Sequence, residues 1–535
     1  GVINGFTQVF NGTEVDTYLG IPYAEPPVGD LRFRRPVPAK KWSKPLDTIK
    51  WPNACYQSDV ELPMMHNKNR SEDCLYLNVF SPKPNKSDTG LKPVMVWIYG
   101  GAFIIGSSSD SRYNPIVLST RGDVIFVSIN YRLSSLGMLY SGTDDAPGNT
   151  LFWDQTLALQ WVKTNIGHFG GDPNRVTIYG QSAGSISVSG LILSPISRDL
   201  FQNAIMMSGS MLLYGGVDTP ENALKYWLKQ SQQIGCSDES DHKFTPKIMD
   251  CLRKVPIEKL AAIPISPFIP SADKLDVVPM FVVDGKIFPK TPIEMLETGD
   301  YKKGLNLMIG NTQDEGSILL AALVDPITYN IINPKNFTYN EAFDALKTLS
   351  SGLKVSKPLN GEDVSRMYFT GLSTHTHKDL LIREIGIAFG DYVITCPTIQ
   401  FAKNAFLSDK TGTKVFQYYY NSKLGKPKLI CLGKWMGVCH GNDLIPAFGL
   451  PFLQPNEYLD RERDISSQMM DSFITFAKTG NPGVIDGAQW PQYYSMGANI
   501  IAPYYEYTNE PKSVTNFNIG LKIDECDYLC VMITE

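Results

Sequence analysis

A serine in a glycine-framed turn, an acidic pair after a strand-like run and a histidine in a glycine-flanked loop are the residues of this 535-residue chain whose types and spacing could do chemistry together. The serine is Ser182, within 169–184, FGGDPNRVTIYGQSAG, which reads as a turn, a β-type run at 176–179 and then Gly180-Gln181-Ser182-Ala183-Gly184 opening an apolar helix. A G-x-S-x-G turn between strand and helix needs small residues on both sides, because a Cβ at either glycine would strike neighbouring backbone in so tight a bend. The bend pushes the hydroxyl out at the top of a sheet. A hydroxyl is a poor nucleophile at neutral pH and needs a base within hydrogen-bond reach, oriented in turn by an acid. Of six histidines, His440 lies in the loop 435–443, WMGVCHGND, after the last good strand pattern. His66, His168, His242, His375 and His377 sit in polar or loop-like surroundings with no matching signal. For the acid, 307–316, LMIGNTQDEG, is a strand running into a polar loop, where Asp314 and Glu315 compete. A tetrahedral intermediate also needs backbone N–H donors, which the residue after the serine, Ala183, and the glycine-rich loop 100–102 could supply. Along the chain the order is serine, acid, histidine.

Residues so far apart need a sheet to bring them together. The run 93–99, PVMVWIY, is almost continuously apolar, as expected of a parallel strand covered on both faces, and it delivers the chain to Gly100-Gly101-Ala102-Phe103. Residues 124–130 repeat the pattern, and 153–166 show helical spacing before the serine strand. Further strands are expected at 203–208, 305–310 and 415–420, with an amphipathic helix candidate at 221–234. The tail of 71–78, SEDCLYLN, alternates as a strand entering the core, whereas 20–27, GIPYAEPP, is too proline-rich for a helix or central strand and is expected on the surface or around an edge. Tracts 215–300 and 325–395 carry helical periodicity and prolines, and read as insertions capping the sheet. No linker divides the chain, so 1–535 reads as one α/β domain: a large, mostly parallel sheet flanked by helices.

An apolar share of 43% and aromatics at 11% support a large core, while 49 basic against 54 acidic residues give nothing to attract a nucleic acid. No apolar run reaches the roughly 18 residues of a membrane span, and Gly1 opens without a basic, apolar leader, as expected of a mature or trimmed soluble chain. Nine cysteines are too few for a disulfide scaffold. Beside four sequons, at Asn11, Asn69, Asn85 and Asn336, the close pairs Cys55 with Cys74 and Cys236 with Cys251 favour a secreted or extracellular route.

In FGGDPNRVTIYGQSAG, SEDCLYLN, GIPYAEPPVGDLRFRRP (20–36), WIYGGAF (97–103), DEGS (314–317) and GVCHG (437–441), all in register, the chain resembles the type-B carboxylesterases of the carboxylesterase and cholinesterase family over essentially its whole length. The resemblance implies the α/β-hydrolase fold, with Ser182 as nucleophile, Glu315 rather than Asp314 as acid and His440 as base. It implies oxyanion donors at Gly101, Ala102 and Ala183, the alanine at 102 standing where a third glycine is commoner. It also implies bridges Cys55–Cys74, Cys236–Cys251 and Cys396–Cys526. Of the remaining Cys431, Cys439 and Cys530, Cys439 is expected to be a buried free thiol, with a Cys431–Cys530 bridge left open. Arg32 with Glu72 and Arg132 with Asp172 match the family's structural ion pairs.

The activity so implied is hydrolysis of small-molecule esters through an acyl-enzyme, without metal or organic cofactor and open to organophosphate and carbamate inhibitors. Two alternatives remain: a cholinesterase, and a non-enzymatic adhesion protein similar to the neuroligins, which lack the reactive serine. Counting without gaps from the shared motifs puts Met64, Ile318 and Leu319 where cholinesterases carry aromatic rings, Gln181 where they carry a glutamate, and Leu275 and Val277 in the acyl pocket. A preference for neutral, apolar esters is therefore expected, unless Tyr214 or Phe103 supplies a cation cage from elsewhere.

Overall fold

A computed structural model describes residues 1–57, 68–83, 90–213, 216–264, 269–271, 274–276, 280–352, 359–409, 411–425, 431–509 and 516–534. Its centre is an eleven-stranded sheet of β1 (Phe6–Phe10), β2 (Thr13–Pro22), β3 (Tyr76–Pro82), β4 (Lys92–Ile98), β5 (Ile125–Ile129), β6 (Gly171–Gln181), β7 (Asn203–Met207), β8 (Asn306–Thr312), β9 (Lys414–Asn421), β10 (Pro503–Thr508) and β11 (Phe517–Ile519). The order across it is β1-β2-β3-β5-β4-β6-β7-β8-β9-β10-β11. Neighbours run parallel from β5 through to β10, and antiparallel strands finish both edges. Every residue of β4, β5 and β7 is buried, which is why these runs are apolar without alternation.

The main helices are α1 (Thr150–Asn165), α2 (Ala183–Leu193), α3 (Pro220–Gln233), α4 (Tyr339–Ser351), α5 (Lys378–Gly390), α6 (Cys396–Ser408) and α7 (Asp460–Thr479). Local signals set several starts: Thr219 caps α3, and Thr338 with Glu341 forms a capping box on α4. From α5 through a π turn at Asp391–Thr395 into α6 the chain is one 31-residue run, apolar and long enough by composition to cross a membrane; 94% of its most apolar window is buried in the fold. It is a core helix. The tract 215–300 is not purely helical, since Val217–Asp218 pairs with Phe281–Val282 and Ile269–Ser271 with Lys274–Asp276.

Two expectations are corrected here. Residues Gly20, Ile21 and Pro22 are strand rather than a surface segment outside the sheet: they end β2, paired with β3 on one side and past the end of β1 on the other, and Tyr23 and Ala24 beyond them are buried. The strand tolerates this because its register shifts between Tyr18 and Ile21: Gly20, at φ 73°, turns its N–H onto the Asn78 side chain at 3.0 Å instead of the ladder. Tyr23 then donates its hydroxyl to the Asn130 carbonyl at 2.7 Å. Arg32 does clasp Glu72, at 2.6 and 2.5 Å, but Arg132 pairs with Asp154, at 2.8 and 2.6 Å, and not with Asp172. Arg132 follows the end of β5 whereas Asp172 lies at the start of β6; in a parallel sheet these are opposite rims. Asp172 instead holds its own turn, accepting from Asn174 N–H and Arg175.

Candidate active site

Ser182 joins β6 to α2 at φ 58° and ψ −125°, a left-handed bend that a side-chain-bearing residue adopts only under constraint. The constraint is steric and local. A Cβ on Gly184 would stand 2.0 Å from the Ile98 carbonyl oxygen, and one on Gly180 2.5 Å from the Gly184 backbone. The Ser182 N–H donates to the Met207 carbonyl at 2.9 Å, so β7 fixes the bend from the other side. The loop leaving β4 lies against it: a Cβ on Gly100 would fall 2.4 Å from the Gln181 carbonyl oxygen and 2.9 Å from Ser182 Cβ. Gly101 (φ 123°) and Ala102 (φ 54°) follow in positive-φ conformations, and the Gly101 carbonyl accepts from Ile104 and Ile105 N–H at 3.0 Å each. Alanine at 102 holds a left-handed conformation that glycine would adopt more cheaply, a difference of about 1 kcal/mol. Ala183 opens α2, where the helix dipole favours negative charge.

Glu315 follows β8 and is 1% exposed. Its Oε1 accepts from Thr312 N–H at 2.7 Å and from Asn311 Nδ2 at 3.3 Å, leaving Oε2 for His440 Nδ1 at 2.5 Å. With Nδ1–H donating to the carboxylate, Nε2 is the ring's acceptor, and it takes an N–H from the Gln181 amide at 3.1 Å, next to Ser182. Of the two competing acids, Glu315 meets the imidazole. Asp314 is engaged by Arg383, at 2.5 and 2.9 Å. Among the described residues His168, His242, His375 and His377 are exposed, and His440 is the buried histidine. His66 lies outside the described residues.

The bridges Cys55–Cys74, Cys236–Cys251 and Cys396–Cys526 are present, but Cys439 is not a free thiol: it is joined to Cys431. A 3-10 turn at Lys434–Met436 folds the loop back and brings the two Cα atoms to 5.7 Å, well inside bridging range. That leaves no place for a Cys431–Cys530 bridge, and the Cys530 side chain lies outside the described residues. Asn11, Asn69 and Asn336 are exposed. Asn85, Met64, Tyr214 and Val277 fall outside the described residues, as does the Leu275 side chain.

Two contributors escaped the pattern. Asp443, three residues after His440, is fully buried and accepts from the Tyr418 hydroxyl at 2.8 Å. Burial, reinforced by the Glu315 carboxylate and opposed by the Tyr418 bond and His440, pushes its carboxyl up to about 7. The signal was a carboxyl beside a singled-out histidine. Arg383 had a fainter one: with Glu384 it interrupts the apolar residues of α5, Leu380-Leu381-Ile382 before and Ile385 after.

The model of the Carboxylesterase family matches residues 1–526. The chain is 34% identical over 519 residues to the acetylcholinesterase of Leptinotarsa decemlineata and 34% over 517 residues to that of Bungarus fasciatus. It is 35% identical over 511 residues to the cholinesterase of Mus musculus; each alignment covers 92% of this chain and 80% of the relative. A strained serine at the mouth of a parallel sheet and a match running almost end to end lead to one assignment: the chain belongs to the carboxylesterase family and is a serine carboxylic-ester hydrolase.

Proposed function

We propose that Ser182, His440 and Glu315 carry out two-step acyl transfer on neutral, apolar carboxylic esters. The observation that supports this most directly is the imidazole held at 2.5 Å from Glu315 through Nδ1, with its accepting Nε2 turned to the residue beside Ser182. His440 takes the Ser182 proton as the hydroxyl attacks the ester carbonyl, and the Gly101, Ala102 and Ala183 N–H groups receive the oxyanion. The alcohol leaves with that proton. Water then attacks the acyl-enzyme with His440 again as base, while Glu315 stabilises the imidazolium. For Ser182 to donate to Nε2, the Gln181 amide must yield its hydrogen bond.

The substrate class rests on Gln181 beside the serine and on the positions where cholinesterases carry aromatic rings. Gln181 is uncharged, Ile318 and Leu319 are half-buried aliphatics, and Phe103 is buried edge-on against Phe281 at 5.0 Å, so it is already committed to the core. These features offer little to a quaternary ammonium, which aromatic rings hold by about 0.5–2 kcal/mol each. The relatives' names favour a second reading, a cholinesterase. Burst release of alcohol from a chromogenic ester, lost in Ser182→Ala, tests the chemistry. The choice of substrate turns on kcat/KM for butyrylthiocholine against an uncharged thioester of equal length. A tenfold preference for the choline compound, about 1.4 kcal/mol, decides for a cholinesterase. Four disulfides and exposed sequons support an extracellular setting.

A further inference from the structure

The second insertion, 325–395, reads as a cover for the sheet, yet one of its residues reaches the loop that carries Glu315. Arg383 of α5 reaches Asp314 with Nε to Oδ1 at 2.5 Å and Nη2 to Oδ2 at 2.9 Å, and its Nη2 also donates to Gln313 Oε1 at 2.8 Å. Asp314 is fully buried, and the Arg383 side chain is 26% exposed. The same Oδ2 accepts the Val438 N–H at 2.7 Å, two residues before His440. Backbone completes the grip: Asp314 N–H donates to the Val438 carbonyl at 3.0 Å, and Asp314 bridges to Cys439 in strand fashion. The fit leaves no slack, because a Cβ on Gly437 would stand 2.1 Å from Asp314 Oδ2.

We infer that Arg383 and Asp314 are positioning residues for the proposed base: the arginine orients a buried carboxylate whose second duty is to fix Val438, and through it the imidazole of His440. This rests on the reading of His440 as base. A buried ion pair is by itself a poor stabilising device, since desolvating both charges offsets most of their attraction. A carboxylate that also holds a main-chain N–H of the histidine loop has a positional use that a hydrophobic pair of equal volume could not fill. The arginine's own anchor is firm. Helix α5 packs on the Asp314 loop backbone to backbone: a Cβ on Gly316 would stand 2.1 Å from the Gly386 carbonyl oxygen and one on Gly390 2.3 Å from Gly316 N. A displacement of about 1 Å at a catalytic group costs up to about 10²-fold, so a loop released by this much would show in turnover before it showed in binding.

The test uses the full chain, a neutral thioester as substrate and organophosphate titration of Ser182. Arg383→Met is expected to lower kcat by about 10- to 100-fold with KM within about twofold, and to label to the wild-type stoichiometry but more slowly. Arg383→Lys keeps the charge without the two-pronged match to the carboxylate, and is expected between the two. Should the methionine variant not fold, the lysine variant carries the test, and wild-type turnover in it overturns the inference. So does a fall in kcat no greater than the fall in titratable sites, which would mean a structural role alone. His440→Ala separates this from the functional reading: an active alanine variant sinks that reading, whereas an inert one beside fully active Arg383 variants sinks only the inference.

Discussion

The serine turn and the histidine loop meet at one imidazole but are held by opposite means. Around Ser182 the hold is steric and close at hand: Gly180 and Gly184 touch backbone, and β7 receives the serine N–H. Around His440 it comes from far along the chain, through Glu315 at a separation of 125 residues, Asp314 at 124 from Val438, and a disulfide to Cys431. The turn is therefore specified by what may not be large. The loop is specified mainly by charges and sulfurs that must arrive from other elements, with a tight steric point at Gly437, which makes it the more breakable half of the site by chemistry.

The largest effect expected is on the steric side. Gly184→Ala puts a methyl 2.0 Å from the Ile98 carbonyl oxygen, and should leave no titratable serine in an organophosphate assay. Full labelling of that variant would break the comparison. On the loop side, Glu315→Gln keeps the hydrogen-bonding shape but loses the charge opposite the imidazolium, and should cost about 10²-fold or more in kcat/KM. Asp314→Asn still offers Val438 an acceptor and should cost less; the reverse order would reassign the acid.

Removing the bridge with Cys431→Ser and Cys439→Ser should lower stability in denaturant by about 2–3 kcal/mol, the value for so short a closed loop. A smaller change would say that Asp314 and Arg383 hold the loop unaided. The last effect expected is at Asp443. Because its folded carboxyl is raised to about 7 from 3.8, the folded state keeps the proton the unfolded chain gives up. That stabilisation is complete below the ordinary carboxyl value and disappears as pH rises through about 7. Melting temperatures of wild type and Asp443→Asn should accordingly shift in the variant's favour between pH 5 and pH 8. A gap independent of pH would remove Asp443 from the charge network.

The same contrast decides what could be read from residues alone. The elbow, the buried parallel strands and the Gly100–Ala102 loop were legible because each states its requirement locally, in small or apolar residues at fixed spacing. The Arg132 partner was not: an aspartate at the wrong rim of the sheet fits the pattern as well as Asp154, and only strand direction separates them. Cys439 looked like a spare thiol because the turn that carries Cys431 to it has no signature stronger than Gly433 and Gly437. The choice of Glu315 over Asp314 came from resemblance; that the arginine of a distant helix claims Asp314 could not be read from the residues.

The bridge Cys396–Cys526 spans 130 residues and so closes a covalent ring on the C-terminal part of the chain. His440 lies inside that ring, together with the smaller Cys431–Cys439 loop, while Ser182 and Glu315 lie outside it. A protease that cuts once anywhere between the two cysteines would release nothing: the pieces stay tethered, run as one species until a reductant is added, and keep the proposed base on the same molecule as its serine.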